Sequence, residues 1–162
     1  GDTVQFTSTK PYRLLVTGRI KHFISAFGEH VIGKEVENAL MNVARDENVR
    51  IVEFTVAPCV NPEDGELPYH EWFVEFDNQP ADIERFALKV DKEVVEQNIY
   101  YKDLISGGIL QPLRMRSMQK GAFREYMKQQ GKLGGQNKVP RLSNDRKIAD
   151  SLNAYITQEA AS

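Results

Sequence analysis

The sequence predicts an α/β fold in which a small sheet of about three main strands is covered by helices. Two segments, residues 51–56 and the alternating stretch around Trp72 and Val74, have the β-branched or period-two pattern of strands. Residues 34–47 and 83–94 carry apolar residues at helical spacing. Since each amphipathic element must bury its apolar side, we expect the helices to cover one face of the sheet.

Composition supports one ordinary domain. The chain has 162 residues, of which 41% are hydrophobic and 27% are charged, so it can build a core and is unlike a disordered segment. With Cys59 as its one cysteine, it forms no intramolecular disulfide, which suits a reducing compartment. It has no apolar run of membrane-spanning length and no signal peptide, so we expect a cytoplasmic protein without membrane contact.

The first half of the chain reads as a hairpin, a helix and a strand. In residues 1–20, apolar residues alternate with polar ones on both sides of a turn near Pro11, which predicts a β-hairpin. Residues 21–32 form a short connection with Gly28 in its middle. A helix follows over about residues 34–47, and then the buried strand at 51–56.

The second half adds two strands and three helices. After the strand around Trp72, Pro80 suits the first turn of a helix, and a third strand follows Gly107, with Ile109, Leu113 and Met115 on one face. A helix near residues 122–127 ends before Gly131. Asn144 or Asp145 can cap a last helix that carries Ile148, Leu152 and Ile156.

Charge is distributed unevenly. Residues 1–110 have a net charge of −8, whereas residues 111–150 have +7, although the whole chain has only −2. A basic segment on an acidic body indicates an anionic ligand such as phosphate, and the alternative is a solvated basic face.

One stretch resembles the hinge motif of the adenylate-forming enzymes, the superfamily of acyl-CoA ligases and peptide synthetase adenylation domains. The motif combines Gly-Arg, a Lys or Asp, a later Gly and a Glu-x-Glu that opens a helix. The matching residues are Gly18, Arg19, Lys21, Gly28, Glu35 and Glu37. Gly1-Asp2 also matches a dipeptide that precedes this hinge in the superfamily.

A second stretch resembles one branch of that superfamily, the auxin-responsive Gretchen Hagen family of acyl acid amido synthetases. Its loop has a Gln, one residue, and then Lys-Val-Pro-Arg, where Asn137 here replaces the more usual Gly. The matching residues are Gly134, Gly135, Gln136, Lys138, Val139, Pro140 and Arg141. The resemblance covers nearly the whole chain and is greater for bacterial members.

The resemblance implies that residues 1–20 end a large N-terminal lobe and that residues 21–162 are a C-terminal lid domain. The whole enzyme would use ATP and Mg²⁺ to adenylate a carboxylic acid and would pass the acyl group to an amine or amino acid. The fragment alone would be inactive, its partner being the missing N-terminal lobe, although the exposed hairpin allows a dimer by strand addition.

The same resemblance assigns roles to individual residues. Lys138 would be catalytic, Asp2 and Arg19 would bind the nucleotide, and Lys21 would be the hinge. The supporting loop residues would be Gly134, Gly135, Gln136 and Arg141. A compact ammonium on a mobile loop can meet the charge that develops on the phosphate and carboxylate oxygens. The alternatives are a surface lysine at 138 and a surface ion pair at Arg19.

The acidic and histidine residues near Trp72 do not predict a metal site. His70 and Glu75, five apart in a strand, point to opposite faces, and no further ligand is evident beyond Glu71. Cys59 reads as a small core residue.

Two other functions remain open from the sequence. One is the lid of an acyl-CoA ligase, and the other is a stand-alone regulatory or partner-binding module that docks through the hairpin edge. Nucleic-acid binding by residues 111–150 is disfavoured because few aromatic residues lie among the basic ones.

Overall fold

The computed structural model of the chain describes residues 23–24, 27–62, 65–130 and 139–157, with only the backbone described at residues 23 and 24. The hairpin predicted for residues 1–20, and with it the domain boundary at residue 21, lies outside this part of the chain. The elements in chain order are β1 (Phe23–Ile24), β2 (Val31–Ile32), α1 (Gly33–Glu47), β3 (Ile51–Cys59), β4 (Tyr69–Phe76), α2 (Ile83–Gln97), α3 (Ile99–Ser106), β5 (Arg114–Met118), α4 (Ala122–Gln129), α5 (Lys147–Leu152) and a 3₁₀ turn (Asn153–Tyr155).

The central sheet has three strands in the order β3-β4-β5. Strands β3 and β4 are antiparallel, with Phe54 opposite Val74. Strands β4 and β5 are parallel, with Trp72 opposite Met115. A parallel pair needs a long crossover connection, and helices α2 and α3 supply it. The predicted α/β class with about three main strands is therefore confirmed.

The helices cover both faces of this sheet, and not the single face that the sequence suggested. On one face, Phe54, Trp72 and Phe76 pack with the buried residues of α1 and α2. On the other, Phe73 and Met118 pack with α4 and α5 in a second, smaller core. All eight residues of β4 are consequently buried.

The polar residues of β4 explain this difference. Glu71 and Glu75 point toward the face that α4 and α5 cover. In the sequence, their alternation with apolar residues is typical of positions that face solvent. Both carboxylates are in fact buried, because Glu71 pairs with arginines and Glu75 accepts hydrogen bonds from the start of α4. A half-polar strand can thus be buried on both sides once its charges have partners.

The long predicted helices are confirmed, with changes at their ends. Helix α1 buries the expected stripe that includes Val36, Leu40 and Val43. Helix α2 begins only at Ile83, because the Asp82 carboxylate accepts hydrogen bonds from the N–H groups of Glu84 and Arg85 at 3.1 and 3.2 Å. Pro80 therefore precedes this helix and is not in its first turn.

Two details near the third strand also differ from expectation. Strand β5 begins at Arg114, and the side chain of Ile109 is 50% exposed, so Ile109 does not share the buried face of Leu113. The last helix ends at Leu152, and Ile156 instead forms an antiparallel bridge with Met118. The N-cap of α5 is Arg146, and not Asn144 or Asp145 as expected, although the Asp145 carboxylate accepts a hydrogen bond from the Lys147 N–H at 3.0 Å.

Candidate functional site

Residues 139–143, which directly follow the loop that carries Lys138, are anchored to the edge of the sheet. The Val56 N–H donates to the Arg141 carbonyl, and the Ser143 N–H donates to the Val56 carbonyl, both at 2.9 Å. The Thr55 hydroxyl donates to the Pro140 carbonyl at 2.7 Å. Strand β3 therefore gains a short parallel partner at its outer edge, centred on the bridge between Val56 and Leu142.

This short segment, which we call the loop anchor (residues 139–143), also enters both cores. Val139 is buried in the core beside α4 and α5, and Leu142 is buried in the core beside α1 and α2. Because the two side chains pack on opposite faces of the sheet, they fix the orientation of the backbone between them relative to the sheet. The backbone position that follows Lys138 is thus held by the fold.

Arg141 lies where the loop anchor meets the start of α1. Its guanidinium pairs with the Glu53 carboxylate and lies 4.6 Å from the centre of the Phe54 ring. A Cβ added at Gly33 would lie 3.9 Å from the Arg141 Cβ, so the first residue of α1 is directly adjacent. The later part of the hinge motif and the loop anchor therefore meet at Arg141.

Among the predicted site residues, Arg141 is the one within the described part of the chain. Asp2, Arg19 and Lys21 lie before it, and the loop residues Gly134, Gly135, Gln136 and Lys138 lie in the interval 131–138, outside the described residues. Their roles remain predictions.

Besides Arg141, three arginines of the basic segment form ion pairs within the described part of the domain. Arg114 pairs with Glu66, and Arg116 and Arg146 bind the two carboxylate oxygens of Glu71 at 2.6 and 2.7 Å. Burial alone would lower the pKa of Arg116, but the hydrogen bond and charge of Glu71 outweigh it and raise that pKa. These arginines join the basic C-terminal part of the chain to its acidic body.

A second polar cluster lies between the sheet and the later part of the hinge motif. The Glu29 carboxylate is fully buried, lies 2.6 Å from His70 Nε2 and accepts a hydrogen bond from the Phe27 N–H at 2.8 Å. Burial would raise the pKa of Glu29, but the hydrogen bond and charge of His70 outweigh it, so that pKa lies below its usual value.

Asn98, at the junction of α2 and α3, extends this cluster. Its amide nitrogen donates to the His30 carbonyl at 3.2 Å and to the Glu35 carboxylate at 3.0 Å. Its amide oxygen accepts a hydrogen bond from the Tyr101 N–H at 2.9 Å. One side chain therefore links the connection before α1 to the crossover helices.

Tyr101 and Asp91 complete the buried polar interior. The Tyr101 hydroxyl donates to Asp91, whose carboxylate also accepts a hydrogen bond from the Leu113 N–H at 3.1 Å. Burial raises the pKa of Asp91, although these two hydrogen bonds oppose the shift. Burial and the nearby Asp91 carboxylate raise the pKa of Tyr101 well above its usual value.

The histidine and acidic residues of β4 each have a separate partner. His70 binds Glu29, Glu71 binds two arginines, and Glu75 binds the start of α4. In the described part of the chain, no group of His, Cys, Asp and Glu residues could hold a metal ion. Cys59 is partly exposed at the end of β3, and not in the core as expected.

Sequence reasoning missed the roles of Glu29, Asp91 and Asn98. Glu29 lies inside the hinge motif, directly after Gly28, but it is not one of the residues that match the motif. Asp91 lies next to Val90 in the apolar stripe of α2, and Asn98 directly follows that helix. The position of Asp91 on the apolar side of α2 could have indicated a buried carboxylate. Its partner Tyr101, however, is identified only by the tertiary structure.

Comparison with protein families identifies the class of this domain. The model described as the GH3 family C-terminal domain matches residues 34–147, which is more than half of the chain. The chain therefore belongs to the GH3 family, as a C-terminal domain. No curated protein sequence matches it significantly.

Solved structures share its fold. The GH3.15 acyl acid amido synthetase matches with a TM-score of 0.65 and 15% identity, over 83% of this chain and 25% of that chain. The AtGH3.15 acyl acid amido synthetase in complex with 2,4-DB matches with a TM-score of 0.64 and 17% identity, over 85% of this chain and 26% of that one. The chain thus spans about a quarter of the length of these structures. In the described residues, no helix is long and apolar enough to cross a membrane.

Proposed function

We propose that this chain is the C-terminal lid of an ATP-dependent acyl acid amido synthetase. The parent protein would adenylate a carboxylic acid and then transfer the acyl group to an amine or amino acid. The missing N-terminal lobe would supply the acid pocket and most contacts with ATP, so the fragment alone would not catalyse the reaction.

The observation that carries this proposal is the loop anchor in a domain of the GH3 family. Residues 139–143 join the sheet edge next to the start of α1, so the backbone at Val139 has a fixed position. A lysine one residue before a fixed backbone can reach a transient anionic partner without disturbing the core. The Gly134-Gly135 pair would allow the rest of the loop to move.

The chemistry assigns Lys138 to the first step. When the carboxylate attacks the α-phosphate of ATP, negative charge grows on the phosphate oxygens, and an ammonium at this position stabilises it. Asp2 would accept hydrogen bonds from the ribose hydroxyls, and Arg19 would contact ribose or phosphate. Mg²⁺ would accompany the ATP phosphates, because it binds readily to phosphate oxygens.

The lid of an acyl-CoA ligase is a less supported alternative. The GH3 family match and the two acyl acid amido synthetase neighbours favour an amine acceptor. A stand-alone binding module is also less supported, because both neighbours are about three times as long as this chain.

The test compares Lys138→Ala with the unaltered full-length protein. Adenylation is measured by pyrophosphate exchange with ATP and a panel of aromatic and aliphatic acids that includes 2,4-DB, and amide formation is measured with the common amino acids. We expect Lys138→Ala to slow exchange by roughly 10²–10³, the effect of losing one preorganised electrostatic contact.

Lys147→Ala is the matched control, because Lys147 is an exposed lysine at the start of α5. It should leave both steps unchanged. A Lys138→Ala protein that exchanges pyrophosphate as fast as the control would show that Lys138 is a surface residue. If CoA, and no amino acid, accepts the acyl group, the protein is an acyl-CoA ligase.

A further inference from the structure

We propose that four buried or half-buried side chains, Glu29, Glu35, His70 and Asn98, form a hinge anchor that joins residues 27–32 rigidly to the core of the lid. If the proposed function holds, the lid must rotate between the adenylation and the amide-forming steps. The hinge anchor then requires that this rotation take place before Phe27, and it makes Glu29 a positioning residue for the second step.

The first tie joins this segment to the central strand. Glu29 Oε2 contacts His70 Nε2 at 2.6 Å, and His70 belongs to β4, where it lies opposite Pro58 of β3. The exposed fractions of the Glu29 and His70 side chains are 0% and 3%. A pair so deeply buried cannot touch substrate, so its effect on the reaction must come from where it holds the backbone.

The second tie joins the same segment to the crossover helices. Asn98 donates to the His30 carbonyl and to Glu35, and Glu35 in turn accepts a hydrogen bond from the Ile32 N–H at 3.1 Å. Glu29 meanwhile accepts a hydrogen bond from the Phe27 N–H. Backbone groups at residues 27, 30 and 32 are therefore all bound to side chains.

These bonds decide where the chain can turn. A large change in φ or ψ between Phe27 and Ile32 would leave buried polar groups without partners, which costs far more than a change at an exposed residue. Gly28 has a φ of 90°, a conformation that glycine adopts easily. The backbone groups of Phe27 and His30 on either side of it are hydrogen-bonded to side chains, so a further rotation at Gly28 would break these bonds. The predicted hinge at Lys21 satisfies this condition, because it precedes Phe27.

The hinge anchor should make the whole lid move with residues 27–32 when the hinge rotates, and so hold the lid in the orientation needed for amide formation. If the anchor is weakened, the rotated pose is held less firmly, and fewer adenylates proceed to amide. A structural defect alone behaves differently, because loss of folded protein lowers both steps by the same factor. The ratio of amide formation to pyrophosphate exchange therefore separates positioning from stability.

The experiment measures that ratio in full-length Glu29→Ala, Glu29→Gln and Asn98→Ala proteins. We expect Glu29→Ala and Asn98→Ala to lower it by roughly threefold to thirtyfold, the range found when a coupling network is altered, while exchange per folded molecule stays within about twofold. Glu29→Gln keeps an acceptor for the Phe27 N–H, so its effect should be smaller.

Leu152→Ala is the matched control, because Leu152 is fully buried in the other core, away from the hinge anchor. It should lower stability and leave the ratio unchanged. If Glu29→Ala does not fold, Glu29→Gln and Asn98→Ala decide the question.

The outcomes separate this inference from the function on which it rests. Variants with an unaltered ratio, in a protein that makes both adenylate and amide, overturn the hinge anchor and leave the proposed function standing. An unaltered protein that exchanges no pyrophosphate with any acid in the panel overturns both.

Discussion

Arg141 shows how a single side chain can support a catalytic loop without belonging to it. Its backbone carbonyl binds β3, its guanidinium pairs with Glu53, and the same group stacks over Phe54. An arginine suits this position because its planar group can pair at its edge and stack on its face at once. A lysine could supply the charge but not the stacking.

We predict that Arg141 and Glu53 are energetically coupled. A double-mutant cycle with Arg141→Ala and Glu53→Ala should give a coupling of about 0.5–1 kcal/mol, since the pair is only partly shielded from water. Arg141→Lys should lose part of the stability as well, because the contact with Phe54 weakens. Urea unfolding followed by circular dichroism measures each value.

The exposed pair of Arg45 and Asp46, whose charged atoms lie 3.8 Å apart, is the control for this cycle. It should show no measurable coupling. If Arg141 and Glu53 also show none, the contact does not stabilise the loop anchor, and Arg141 contributes through its backbone alone.

At the scale of the element, β4 and α4 depend on each other. Helix α4 begins after Gly121, which offers no side chain to bind the first free N–H groups. The Glu75 carboxylate of β4, on the face of the sheet that α4 covers, takes that role and accepts hydrogen bonds from the N–H groups of Gly121 at 2.8 Å and Phe123 at 3.3 Å. A negative charge at a helix N-terminus is also favoured by the helix dipole.

We predict that Glu75→Ala lowers the free energy of unfolding by about 1–3 kcal/mol, because two N–H groups at the start of α4 lose their acceptor. Urea unfolding measures the change. Glu125→Ala, at an exposed acidic residue in the first turn of the same helix, should change stability by less than about 0.5 kcal/mol. Equal losses in the two variants would mean that Glu75 does not cap α4.

At the scale of the whole molecule, two cores and a set of ion pairs join the acidic and basic parts of the chain. The core beside α1 and α2 is built mainly from residues 31–113 together with Leu142, and the core beside α4 and α5 includes Val139, Ala149 and Leu152 from the end of the described chain. Glu71 of β4 pairs with Arg116 and Arg146 of the basic part of the chain. The uneven charge of the sequence is thus partly neutralised within the domain.

We predict that the domain tolerates loss of residues 1–20 but not of residues 1–30. The shorter deletion removes only the predicted hairpin and should leave Tm within about 2 °C. The longer deletion removes Glu29 and leaves His70 without its buried partner, a loss of about 3–5 kcal/mol and therefore roughly 10 °C or more. Differential scanning calorimetry of the two shortened chains measures both.

The result also tests the domain boundary. If the shorter deletion destabilises the chain as much as the longer one, the hairpin is part of the lid core and the boundary at residue 21 is wrong.

The sequence by itself determined the class of the fold and most of its elements. Periodic apolar residues such as Val36, Leu40 and Val43 define a helix wherever they occur, and the run from Ile51 favours a strand for the same local reason. The motifs around Lys21 and Lys138 indicated the family, which the family match confirmed. The individual roles of those lysines stay predictions.

Only the tertiary structure decided which polar residues are buried and what they bind. Glu29 and His70 are 41 residues apart, Arg141 and Glu53 are 88 apart, and Glu75 reaches a helix 46 residues later. In the sequence these side chains look like ordinary surface charges. A charge becomes an internal ligand only when the fold removes water from it and supplies a partner, and both conditions depend on contacts between distant parts of the chain.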